Sequence, residues 1–130
     1  MESQNQNGQP EKNILVVDDD EGIREILQMA FMTEGYSVTT AANGKEALDI
    51  LSHSPHYGLI LLDLMMPKMN GWEFVEAFQK TSHPQIPIIL MTAYTDRVKN
   101  IDVKEVISKP MDFEALLQRV QANYKENYKS

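Results

Sequence analysis

The 130-residue sequence predicts an α/β fold, a five-stranded parallel sheet with helices on both faces. Three observations carry this expectation. Ile14-Leu15-Val16-Val17 and Leu59-Ile60-Leu61-Leu62 are apolar without a break, as strands buried on both faces require. Strand-like and helix-like patterns alternate with short connections, which is the pattern of parallel crossovers. Both apolar runs end in carboxylates, Asp18-Asp19-Asp20 and Asp63. In open α/β sheets the carboxyl edge is where ligands bind.

Taken in order, residues 1–12 are polar, with Gly8 and Pro10, and read as a disordered leader. Residues 13–124 form one domain by length, and residues 125–130 are a polar tail. The first strand, Ile14 to Val17, leads into a helix over Glu21–Glu34, with Ile23, Ile26, Leu27, Ala30 and Phe31 on its inward face. Gly35 stops that helix. Tyr36 to Ala41 is a second strand, rich in Val and Thr. Asn43 caps a second helix carrying Ala47, Leu48 and Leu51, and Ser52–Tyr57 is a loop. The central strand ends at Asp63. Pro67 and Asn70-Gly71 then shape a loop before a third helix to about Lys80, with Phe74, Val75 and Phe78 inward. Ile86 to Met91 is a fourth strand ending at Thr92, and Val103 to Ser108 a fifth ending at Lys109-Pro110. Asp112 is placed to cap a last helix that buries Leu116, Leu117 and Val120.

Composition narrows the function classes. No apolar run approaches the ~18–20 residues of a membrane span, and no secretory signal opens the chain. With no cysteine there is neither a disulfide nor a thiolate metal site, which fits a reducing cytoplasm. A net charge of −7 argues against direct nucleic-acid binding, which wants a basic patch. His53, His56 and His83 fall in loops without metal-ligand spacing and read as surface residues.

Aligned strand ends bring Asp18, Asp19, Asp63, Thr92 and Lys109 to one edge. Singly, each has a plainer reading: a capping acid, a strand-end threonine, an exposed lysine before a turn proline. Jointly they point to chemistry. Carboxylates held together repel, so either their pKa values rise or a cation sits among them. Mg²⁺ suits a site where a few carboxylates leave room for water and phosphate. Lys109 and Thr92 would then meet phosphoryl oxygens, and a carboxylate can itself accept a phosphoryl group.

These residues resemble the receiver domain of two-component response regulators. The match runs from about Asn13 to Tyr124. It rests on Val16-Val17-Asp18-Asp19-Asp20, Asp63-Leu64-Met65-Met66-Pro67-Lys68-Met69-Asn70-Gly71, Met91-Thr92-Ala93 and Lys109-Pro110. The resemblance implies a flavodoxin-like, doubly wound sheet of strand order 2-1-3-4-5. It implies Asp63 as phosphoacceptor, in a Mg²⁺ site shared by Asp19, Asp18 through water, Asp63 and the Met65 backbone carbonyl. Thr92 is similar to the switch hydroxyl and Lys109 to the phosphoryl partner, with a Lys109-Pro110 bond of a kind often cis. The implied donor is a sensor histidine kinase or a phosphotransfer protein. The output target stays open.

Two departures stand out. The position three before the lysine, usually Phe or Tyr in receivers, is Val106. Only Ala93–Asp102 joins the fourth and fifth expected strands, less than an ordinary helical crossover uses, so the helix there is expected to be very short or irregular. The expected function is a phosphorylation-controlled switch, not an enzyme acting on a separate substrate, and either stand-alone or excised from a longer regulator. The alternative is an interaction module that keeps the fold without the phosphorylation. A dehalogenase-like phosphatase would need a second Asp at position 65, which is Met. A flavin phosphate would be repelled by the acidic edge.

Overall fold

The computed structural model describes residues 12–54, 56–81 and 85–124. The expected leader up to residue 11, the tail from residue 125, and His83 lie outside the described residues. The elements are β1 (Lys12–Val17), α1 (Glu21–Thr33), β2 (Tyr36–Ala41), α2 (Gly44–His53), β3 (Leu59–Asp63), α3 (Gly71–Gln79), β4 (Ile88–Thr92), β5 (Glu105–Ser108) and α4 (Phe113–Asn123). All strand pairs are parallel, in the order β2-β1-β3-β4-β5. The expected flavodoxin-like order is therefore present.

Side-chain alternation along the strands divides the core. Leu15, Val17, Ile60, Leu62 and Leu90 pack against Ala47 and Leu51 of α2 and Phe74, Val75 and Phe78 of α3. Ile14, Val16, Leu59, Leu61, Ile89 and Met91 pack against Leu27 and Phe31 of α1 and Leu116, Leu117 and Val120 of α4. Burying each such large side chain is worth ~1.5–3 kcal/mol, and the two layers hold the middle strands rigidly. That rigidity fixes the strand ends that build the site.

The helix ends follow local chemistry. Asp20, Asn43 and Asn70 each accept a backbone N–H at the start of α1, α2 and α3. Glu73 returns the bond to the Asn70 N–H, completing a capping box. Gly35 ends the α1 turn at φ +94°, a conformation a Cβ disfavours.

Several boundaries differ from the sequence reading. Lys12 is the first residue of β1, not part of a leader, because it pairs with Tyr36 of β2. α2 runs through His53, whose Nδ1 lies 2.8 Å from the Asp49 carbonyl, so the loop starts later. Ile86 and Pro87 precede β4; the Pro87 carbonyl accepts from Ile60 N–H, but proline has no N–H to continue the ladder. β5 begins at Glu105, and its residues alternate between half-buried and exposed, as at a sheet edge. Ile26 is 67% exposed rather than inward. Asp112 sits at the α4 cap position, yet its side chain accepts no bond there.

The expected irregular crossover is present. Residues 93–104 contain a single 3₁₀ turn, Thr95–Arg97, in place of an α-helix. Val98, Ile101 and Val103 pack it onto the α3 side of the core. Trp72 Nε1 donates to the Lys99 carbonyl at 3.4 Å and Gln79 Nε2 to Asp102 at 2.8 Å.

Candidate functional site

The carboxyl ends of β1, β3, β4 and β5 lie side by side. Asp18 follows β1, Asp63 ends β3, Thr92 ends β4 and Lys109 follows β5. The strand register alone therefore gathers four of the expected residues. Asp19 joins them from the loop: oxygens of Asp18, Asp19 and Asp63 lie within 4.8 Å of one another. Lys109 Nζ is 2.7 Å from Asp18 Oδ2 and 3.4 Å from Asp63 Oδ1. Its backbone N–H donates to the Thr92 carbonyl at 2.9 Å, and the Lys109-Pro110 peptide bond is cis.

The electrostatics follow from burial. Asp18 is fully buried and Asp63 is 7% exposed. Burial pushes the Asp63 carboxyl from 3.8 up to about 6, with the Asp18 charge adding to the rise and Lys109 opposing it. Burial would lower the Lys109 amine, but the Asp18 hydrogen bond and the charges of Asp18 and Asp63 outweigh it and hold the amine above its ordinary value. Asp63 thus combines a position at the open sheet edge with a carboxyl poised just below neutrality.

Each support has a local cause. The loop after Asp63 turns tightly: Gly71 N–H donates to the Leu64 carbonyl at 2.8 Å, and Lys68 adopts φ +67°. A Cβ on Gly71 would stand 3.0 Å from the Asp63 carbonyl oxygen, so a larger residue would have to push the backbone aside by a few tenths of an ångström. Met65 lies in this loop, with its side chain partly exposed. Thr92 is fully buried, and its Oγ1 accepts the Tyr94 N–H at 2.9 Å. Among the described residues its own hydroxyl proton meets no acceptor, so it is free to donate to an incoming oxygen.

Asp18, Asp19, Asp63, Thr92 and Lys109 are thus brought together, with Met65 alongside. Asp20 is not part of the cluster; its side chain caps α1. The sequence reading missed Arg24, whose Nη1 donates to the Asp18 carbonyl at 2.8 Å. A signal existed: a cation near the start of a helix stands where the dipole disfavours it and wants a specific partner. Val106 stands on β5, 41% exposed, where the family usually has an aromatic residue. Beside Lys109 lies an apolar groove of about 360 Å³, lined by Ile23, Ile26, Leu27, Pro110, Met111 and Phe113 among others, which accounts for the exposure of Ile26.

The donor set suits a hard divalent cation. Three carboxylates with oxygens in mutual reach, one of them fully buried, match the all-oxygen preference of Mg²⁺ and leave positions for other oxygens.

The family model for the response regulator receiver domain matches residues 14–121. The transcriptional regulatory protein YkoG of Bacillus subtilis, itself called uncharacterized, is 39% identical over 120 residues, covering 88% of this chain and 52% of that protein. A CpxR homolog of Haemophilus influenzae is 39% identical over 114 residues, covering 84% and 48%. The chain thus spans about half the length of these relatives. Among solved structures, chemotaxis protein CheY4 of Vibrio cholerae superposes with a TM-score of 0.81 at 32% identity, covering 88% of this chain and 99% of that one. Response regulator TrrA of Thermotoga maritima, in complex with Mg²⁺ and BeF, gives 0.77 at 36% identity, covering 85% and 97%. On the fold, the clustered acids, threonine and lysine, and this match, the chain belongs to the response regulator receiver domain family.

Proposed function

We propose that the chain accepts a phosphoryl group on Asp63 and that this modification switches its binding to a partner. The observation that carries the reading is the buried Asp63 carboxylate at the open sheet edge, where the Lys109 ammonium bridges it to Asp18. With its carboxyl near 6, Asp63 is mostly ionised at neutral pH and available as a nucleophile. An Asp63 oxygen forms a bond to phosphorus, the bond from phosphorus to the donor's histidine nitrogen breaks, and the released imidazole takes up a proton. Lys109 neutralises charge on the transferred oxygens, and the free Thr92 proton donates to one of them. Asp18 and Asp19 would hold Mg²⁺ with Asp63 and the Met65 carbonyl, and the cation would offset charge on the phosphoryl oxygens. Later attack by water on phosphorus breaks the Asp63 oxygen–phosphorus bond, releases inorganic phosphate and restores the carboxylate. The chain catalyses these two steps on itself and is not an enzyme for a separate substrate.

A sensor histidine kinase or phosphotransfer protein is the proposed donor. The apolar groove beside Lys109 offers it a contact surface next to the acceptor. Among the described residues no helix is long and apolar enough to cross a membrane, and the chain has no cysteine, which agrees with a cytoplasmic setting. The net charge of −7 argues against direct nucleic-acid binding by this domain, and the output target stays open.

Incubation with a small phosphoryl donor should add one phosphoryl mass that requires both Mg²⁺ and Asp63. Failure to bind Mg²⁺ together with no uptake from donor or kinase would favour the phosphorylation-independent module, which no feature of the site favours.

A further inference from the structure

The acidic loop presents a physical problem. Asp18, Asp19 and Asp63 bring carboxylate oxygens within 4.8 Å, and their mutual repulsion works to spread the loop apart. The backbone after β1 must therefore be held. Asp18 N–H donates to the Ala41 carbonyl at 3.0 Å, which ties the loop to β2. Asp20 N–H donates to Asp18 Oδ1 at 2.9 Å, and Asp20 Oδ1 accepts from Ile23 N–H at 3.2 Å. Among the described residues the Asp18 carbonyl accepts no backbone N–H; it accepts from Arg24 Nη1 at 2.8 Å. Arg24 makes no ion pair among the described residues. Its guanidinium serves the carbonyl instead, and α1 anchors its stem.

We propose that Arg24 is a positioning residue for the cation site: it pins the Asp18 carbonyl so that the Asp18 and Asp19 carboxylates stay converged on Asp63. This rests on the reading of the acidic cluster as the Mg²⁺ site. Two effects of Arg24 oppose each other. Its charge repels a dication. Its hydrogen bond keeps the ligands in place. The sign of a substitution therefore tells which dominates. Outer-shell partners of this kind are worth about 10–100-fold in metal affinity, whereas a partly exposed charge acting at a distance is screened.

The test is calorimetric Mg²⁺ titration of wild type, Arg24→Met and Arg24→Lys. Arg24→Met keeps the apolar stem and removes both charge and donor. The expected result is a Kd for Mg²⁺ weaker by about 10-fold in Arg24→Met, most of it recovered in Arg24→Lys, which restores a donor together with the charge. Phosphoryl uptake by Arg24→Met should return to the wild-type rate at saturating Mg²⁺. Urea unfolding in chelator checks that Arg24→Met is folded; if it is not, Arg24→Leu, which also lacks a donor, takes its place. Unchanged or tighter Mg²⁺ binding in Arg24→Met overturns the proposal while leaving the cation site intact. No Mg²⁺ binding by wild type overturns the cation site itself, and the role of Arg24 with it.

Discussion

Replacing Asp63 by asparagine should stabilise the metal-free protein at neutral pH. The cause is the raised carboxyl, 3.8 in the unfolded chain and about 6 in the folded one. A folded state that holds a proton more tightly is favoured while that proton is on. Stability is therefore full below the unfolded value, falls as pH rises between the two values, and has been lost by the time pH passes the folded value. At ~1.36 kcal/mol per pH unit, the full loss is about 3 kcal/mol. The asparagine of Asp63→Asn keeps the shape and an oxygen for Lys109 but never ionises, so it escapes that loss. The gain should approach about 3 kcal/mol near pH 7 and shrink to about half near pH 5, where the wild-type folded carboxyl is mostly protonated. Urea unfolding of both proteins in chelator, at the two pH values, measures the difference. Groups away from Asp63 titrate alike in both proteins and cancel. An Asp63→Asn protein no more stable than wild type near neutrality, or a gap that does not narrow on acidification, refutes the electrostatic picture of the site. Adding Mg²⁺ should narrow the gap from the other side by stabilising the wild type more than the variant, which lacks one carboxylate ligand.

Lys109→Met removes the ammonium from two buried carboxylates, Asp18 at 2.7 Å and Asp63 at 3.4 Å. It should cost about 3 kcal/mol in chelator, less in an Asp63→Asn background, by the same urea assay. Gly71→Ala puts a Cβ at 3.0 Å from the Asp63 carbonyl oxygen and the Leu64 Cα, both backbone atoms. It should lose about 1–3 kcal/mol and slow phosphoryl uptake by shifting Asp63; an unchanged uptake rate would show that the loop yields without cost. Gln79→Ala breaks the tie to Asp102 at 2.8 Å and should loosen the crossover from α3. The single tryptophan, Trp72, reads this directly: its acrylamide quenching should rise while stability changes by no more than ~1 kcal/mol.

How much of this was legible in the sequence depended on burial. β1 and β3 are covered on both faces, so their apolar runs were unbroken and their ends plain. Asp18, Asp63 and Lys109 could be placed together because parallel strands align their carboxyl ends, a consequence of topology rather than of side-chain detail. β5 is an edge strand covered only in alternate positions, so its start was read from Val103 when pairing begins at Glu105. Ile26 follows the helical spacing of a core residue, yet it borders the groove beside Lys109 and stays exposed. The brevity of the connection after Thr92 was enough to foresee a crossover without an ordinary α-helix, because chain length limits what can be built. Arg24 stood out only as a cation near a helix start; its partner is a backbone carbonyl, which every residue carries, so the pairing itself was not legible.

The central claim is that Asp63, and no other group of the cluster, carries the phosphoryl. The direct measurement is chemical mapping. After incubation with donor and Mg²⁺, borohydride reduces an acyl phosphate to an alcohol, and peptide mass analysis locates the altered residue. The change is expected at Asp63 alone, and none is expected when hydroxylamine precedes the reduction. A mark on Asp18 or Asp19, or a phosphoryl group that survives hydroxylamine, would contradict the claim.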